Sequence, residues 1–153
     1  WKDDNVMALN NYAYYLSEKG VDLHKAESMS YKTIKAEPNN GTYLDTYAWI
    51  LFMEERYADA KTYIDQALKN RDSTADNSTV LEHAGDIYYM NGMADESVDF
   101  WKKAYTGENQ TEVLAWKIKN RQYITGEELK KRNAPKQKPA ATKKSVRKGK
   151  KNK

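Results

Sequence analysis

The sequence predicts an all-α fold, a right-handed superhelical solenoid of antiparallel helix pairs, and three observations carry that prediction. The word Leu9-Asn-Asn-Tyr-Ala-Tyr-Tyr-Leu16 returns as Leu44-Asp-Thr-Tyr-Ala-Trp-Ile-Leu51 and again as Leu81-Glu-His-Ala-Gly-Asp-Ile-Tyr88. The copies begin 35 and 37 residues apart, a period that marks stacked helical repeats. Each copy places apolar residues three and four apart around a small residue, which gives one apolar helical face with a close-contact point at its centre. Units of this kind bury a core only by stacking, and they work by presenting a surface. Binding is therefore the expected class of function.

Residues 1–5 read as the end of a preceding repeat or a linker, and the first unit spans 6–40. Asn5 is a reasonable N-cap for a helix running to Lys19, where Gly20 can turn left-handed and end it. A second helix carries Ala26, Met29, Ser30, Thr33 and Ile34, and Pro38 closes it. The second unit, 41–77, repeats the plan with Leu44, Tyr47, Ala48, Leu51 and Phe52, then Tyr57, Ala60, Ile64, Ala67 and Leu68. Glu54-Glu55-Arg56 stands where a glycine turn belongs, and the link from Asn70 to Ser78 is long and rich in turn formers. The third unit, 78–107, has Leu81, Ala84, Gly85 and Tyr88, a turn at Asn91-Gly92, then Ser97, Trp101, Ala104 and Tyr105; Ser78 or Asn77 caps its start.

Residues 108–128 read as a capping helix from Thr111 to about Tyr123. Val113, Leu114, Trp116 and Ile118 form its apolar side, with Lys117, Lys119, Asn120 and Arg121 assigned to the solvent side. Thr125-Gly-Glu-Glu128 suggests a capping box for one last short turn. From 129 to 153 the chain is Lys-rich and nearly free of large apolar residues, so disorder is expected there.

The formal charge of +4 sums two unlike parts. Residues 129–153 hold 12 Lys and Arg and no acid, leaving 14 basic against 22 acidic residues, a balance of −8, over 1–128. Cysteine is absent, which removes disulfides, thiol nucleophiles and thiolate metal sites together. No apolar run approaches bilayer-spanning length. Trp1-Lys-Asp-Asp-Asn5 resembles neither an initiator sequence nor a signal peptide and reads as part of something longer. The compartment stays open: cytoplasmic, or the bacterial envelope if a parent protein carries a signal.

These helix pairs resemble the tetratricopeptide repeat (TPR). The matching residues are Leu9, Tyr12, Ala13, Leu16, Ala26 and Pro38 in the first copy, and Leu44, Tyr47, Ala48, Leu51, Tyr57, Ala60, Ala67 and Leu68 in the second. The third supplies Leu81, Ala84, Gly85, Tyr88 and Ala104, so the likeness covers about residues 6–105. Asp72 departs from the pattern where a terminal proline is usual. The chain is similar to the C-terminal part of long bacterial TPR proteins, and a purely structural reading makes it the closing end of such an array.

The resemblance implies a concave groove lined by the first helix of each unit. That places Asn10 and Tyr14, then Asp45, Trp49 and Met53, then Glu82, His83, Asp86 and Met90 on one wall, with Tyr12, Tyr47, Leu51 and Tyr88 in the core. Aromatic area beside carboxylates suits a protein or peptide segment with apolar and basic side chains. Capture of acidic chaperone tails, which relies on Lys, Asn and Arg at these faces, is not expected where Asp45 and Glu82 stand.

Catalytic, cofactor and metal sites are not expected. His24 and His83 have no nucleophile or metal-ligand spacing around them, and His83 reads as a satisfied surface residue. The alternative function lies in the tail. Lys130, Lys131, Arg132, Arg147, Lys148, Lys150 and Lys151 suit a nucleic acid or another polyanion, by salt-sensitive attraction without stacking aromatics. Oligomeric state is left open.

Overall fold

A computed structural model describes residues 2–135. Those residues form eight α-helices and one 3-10 turn, with no strand among them: α1 (Lys2–Lys19), α2 (Leu23–Ala36), α3 (Gly41–Met53), α4 (Tyr57–Lys69), α5 (Ser78–Met90), α6 (Ala94–Ala104), α7 (Glu112–Asn120) and α8 (Gly126–Asn133). α1, α3 and α5 each pair with the helix after them, successive pairs stack in chain order, α2 on α3 and α4 on α5, and α7 packs on α6. First helices also touch one another, α1 with α3 and α3 with α5. This is the solenoid that the repeated word requires. No helix among the described residues is long and apolar enough to cross a membrane.

The core follows the joints between units. Ala13, Leu16 and Ala26 meet Ile50 at the first joint. Leu44, Leu51, Ile64 and their neighbours meet Ala84 and Ile87 at the second, and Val98, Trp101 and Ala104 meet Leu114 where α7 closes the stack. Each fully buried Leu or Ile here contributes about 1.5–3 kcal/mol. The small residue at the centre of each repeated word is the close-contact point. Ala13 and Ala48 are fully buried, and at Gly85 a Cβ would lie 2.2 Å from Trp101 Cδ1.

All three first helices end in the same way. The amide of Val21 donates to Leu16 O, that of Arg56 to Leu51 O, and that of Met93 to Tyr88 O, each closing over a left-handed residue: Gly20, Glu55 and Gly92. Glu55 thus does a glycine's work with φ at 62°, which explains how Glu54-Glu55-Arg56 serves as a turn.

Several boundaries differ from expectation. Asn5 lies inside α1, which is already helical from Lys2, so it has no helix start to cap. At α5 the capping acceptor is neither Asn77 nor Ser78; Asp76 Oδ1 accepts from the Ser78 amide at 2.9 Å. The long link is an ordered turn in which Asp72 Oδ1 accepts from the Thr74 amide (2.9 Å) and hydroxyl (2.6 Å), with Asn77 Nδ2 donating to Asp72 O. Tyr12 is 44% exposed and not core. Its counterpart Tyr47 sits between Tyr31 of the preceding helix and Tyr63, whereas no helix precedes α1 among the described residues, and Tyr12 stacks on Tyr15 alone.

The expected last turn is a full helix. Thr125 Oγ1 accepts from the Glu128 amide at 3.1 Å and opens α8, and Leu129 is buried. The predicted boundary at 129 therefore falls inside α8. Residues 136–153, which hold Arg147, Lys148, Lys150 and Lys151, lie outside the described residues.

Candidate binding groove

The first helices place Asn10 and Tyr14 (α1), Asp45, Trp49 and Met53 (α3), and Glu82, His83 and Asp86 (α5) along one wall, as their spacing requires. What they do there departs from an open acidic surface. His83 is buried, not a surface residue, and Asp45, Asp86 and Asn10 are buried with it. His83 Nδ1 lies 2.9 Å from Asp45 Oδ1. Its ring stacks on Trp49 with centroids 4.1 Å apart and tilts against Tyr14 at 6.2 Å. Trp49 is held from the other side by Phe52, stacked at 4.7 Å.

Asp86 accepts from Trp101 Nε1 at 2.9 Å and from Lys117 Nζ at 2.7 Å. Charge predicts a solvent position for Lys117, yet it is 3% exposed. Its ammonium also lies 3.8 Å from Glu82 Oε1 and within 6 Å of the Trp101 and Tyr123 rings. A buried ammonium needs such partners, because desolvation alone makes it costly. The wall's negative charge is thus largely neutralised from within: Asp45 faces His83, and Asp86 faces Lys117. Neither is free to attract a basic ligand. Glu82 is the acid left over, and its Oε1 is buried without a hydrogen-bond partner among the described residues.

Burial and charge move the ionisable groups together. Burial, partly offset by Lys117, raises the carboxyls of Asp86 and Glu82 above the usual range. Burial also raises the Tyr14 hydroxyl, helped by the adjacent Glu18. For His83, burial opposes the charged form, but attraction to Asp45, Asp86 and Glu82 outweighs it and the imidazole is raised. A histidine raised in the folded state stabilises fully below its unfolded value near 6.5, and that stabilisation is lost as pH rises through the folded value. Urea midpoints are therefore expected to fall as pH climbs above about 6.5, and His83→Gln is expected to flatten that slope; equal slopes in both proteins would refute the charged pair.

Two hollows flank this network. One, of about 690 Å³, is lined by Tyr14, Trp49, Met53, Glu82, Lys117 and Tyr123 and reaches Lys130 on α8. The other, of about 610 Å³, lies under the long link and is lined by Asn10, Tyr14, Asp45 and Thr46 with residues of the 70–77 turn. Met90 lines neither and packs in the central core. Of the basic residues predicted for a polyanion, Lys130, Lys131 and Arg132 are exposed on α8, with Arg132 over the Trp116 ring at 5.2 Å.

No family model matches the sequence. Over 66 residues the chain is 35% identical to a TPR repeat-containing protein of Pseudomonas aeruginosa, a stretch covering 43% of this chain and 11% of that one. The chain thus matches about a ninth of that relative's length. Among solved structures, the first TPR domain of Spaghetti (RPAP3) bound to the HSP90 peptide SRMEEVD is similar with a TM-score of 0.64 at 13% identity, covering 76% of this chain and 89% of that one. The N-terminal domain of stress-induced protein-1 (STI-1) from C. elegans follows at 0.58 and 20% (77% and 94% covered), and the TPR2AB-domain:pHSP90 complex of yeast Sti1 at 0.57 and 22% (84% and 48% covered). At these identities the likeness shows the fold.

Proposed function

We propose, from the premise that this chain is a tetratricopeptide-type solenoid, that it is a protein-interaction module whose ligand, an extended or helical peptide segment, lies in the 690 Å³ hollow. The observation that carries this reading is the pairing there of half-buried aromatic and thioether area, from Tyr14, Trp49 and Met53, with Glu82, whose Oε1 has no hydrogen bond among the described residues and only the more distant Lys117 ammonium, 3.8 Å away, as a counter-charge. A segment with an apolar side chain against Trp49 and a cationic one reaching Glu82 meets both needs. The similar fold of the Spaghetti (RPAP3) domain, bound to the HSP90 peptide SRMEEVD, supports a peptide ligand of some kind. An acidic tail is disfavoured, because Glu82 would face it.

A peptide array read by fluorescence, followed by titration of the best binders, tests this. Glu82→Gln and Trp49→Phe are each expected to weaken cationic-apolar peptides by about tenfold, while deletion of residues 136–153 leaves binding unchanged. Peptides that bind all three proteins equally would place the ligand elsewhere. Peptides lost only on deletion would favour the polyanion reading of the tail.

A further inference from the structure

At the first joint, and in the lining of neither hollow, His24 and Glu27 of α2 meet Glu54 at the end of α3. One potential ligand atom from each of the three lies within 4.8 Å of the others. His24 and Glu27 are three residues apart on a helix and so share a face. Glu54 arrives from the helix exit that Glu55 shapes with its left-handed backbone. Spacing along the chain cannot reveal this grouping, because Glu54 comes from a different unit.

Two carboxylates and an imidazole gathered this closely need a cation or a shared proton, since like charges at this range repel. Arg56 answers only part of that need: its Nη1 donates to Glu27 Oε1 at 2.7 Å and its other nitrogens to Asp59. Glu54 Oε1 remains buried with no hydrogen-bond donor among the described residues. An orphaned carboxylate oxygen beside a second carboxylate and an imidazole nitrogen is the donor set of a first-row divalent ion, with the hard oxygens and borderline nitrogen that Zn²⁺ accepts.

We propose that His24, Glu27 and Glu54 bind a divalent transition-metal ion of the Zn²⁺ class, with water completing a four-coordinate shell. Ligands about 2.1 Å from zinc stand about 3.4 Å apart, so the three groups have to close by roughly an ångström. His24 is exposed and Glu27 and Glu54 are only half-buried, so rotation of the side chains suffices. The ion clamps α2 to the α3–α4 corner and stiffens the first joint of the array. Its effect is structural, because its three ligands join helices of two units and line neither hollow.

Isothermal titration of the full chain with ZnCl₂, paired with thermal melts, tests the assignment. One Zn²⁺ per chain and a melting temperature that rises with zinc are expected. His24→Ala and Glu54→Gln should each weaken binding by at least about tenfold and remove the thermal rise. Both positions are at the surface or half-buried, and melts without metal show whether the variants are folded. His83→Gln serves as the control and keeps the site. Absence of zinc binding, or binding that survives both substitutions or disappears with residues 136–153, would overturn the proposal.

Discussion

Gly85→Ala is expected to destabilise the protein by about 3 kcal/mol, although the same change in an open helix gains about 1 kcal/mol. The sign reverses because the new methyl would stand 2.2 Å from Trp101 Cδ1 and 2.3 Å from its Nε1. Trp101 is fully buried and cannot swing away without withdrawing the hydrogen bond that its Nε1 gives Asp86. The substitution therefore costs packing and leaves a buried carboxylate with one donor fewer. Urea denaturation measures the loss, and in a double-mutant cycle Gly85→Ala should cost much less in a Trp101→Leu background, where the clashing ring is gone. A single variant as stable as the parent would show that the contact is soft.

Lys117→Ala is the second large effect, about 3–5 kcal/mol, the range for breaking a buried ion pair from one side. Asp86 would keep only the Trp101 donor, and Glu82 would lose its nearest cation. Replacing both ends with apolar or neutral groups of similar shape avoids the stranded charge. Lys117→Met with Asp86→Asn is accordingly expected to lose much less stability than the sum of the two single losses in a double-mutant cycle. Because Lys117 belongs to α7 and Asp86 to α5, loss of the pair should also loosen α7, seen as faster amide exchange across Glu112–Asn120. Simple additivity, with α7 unchanged, would mean that the pair does not hold the closing helix.

The repeated word made the fold legible because it encodes geometry directly. Spacing of three and four fixed the buried faces, and the small residue in each copy marked where helices touch. What the sequence obscured was the fate of charge. Lys117 stands four residues from Val113 and three from Leu114 and so shares their face, but its charge argued for solvent, and only Asp86 from a distant helix explains its burial. His83 was misjudged for the same reason: Asp45, its partner, lies 38 residues away. Tyr12 shows the converse. Its slot is a core slot in the repeat, but a core slot needs a helix on each side, and local pattern cannot count neighbours. The resemblance assigns the proposed groove residues to the first helices, while which of their charges remain unspent depends on contacts between units that no local pattern carries.

The matched exits of α1, α3 and α5 bear on how such chains can be rearranged. Because the backbone leaves each first helix through the same hydrogen-bonded corner, with the left-handed position at 20, 55 and 92, those corners are natural crossover points. A chimera spliced there would hand the next helix on in an unchanged direction, so length and groove chemistry can vary independently of the superhelix.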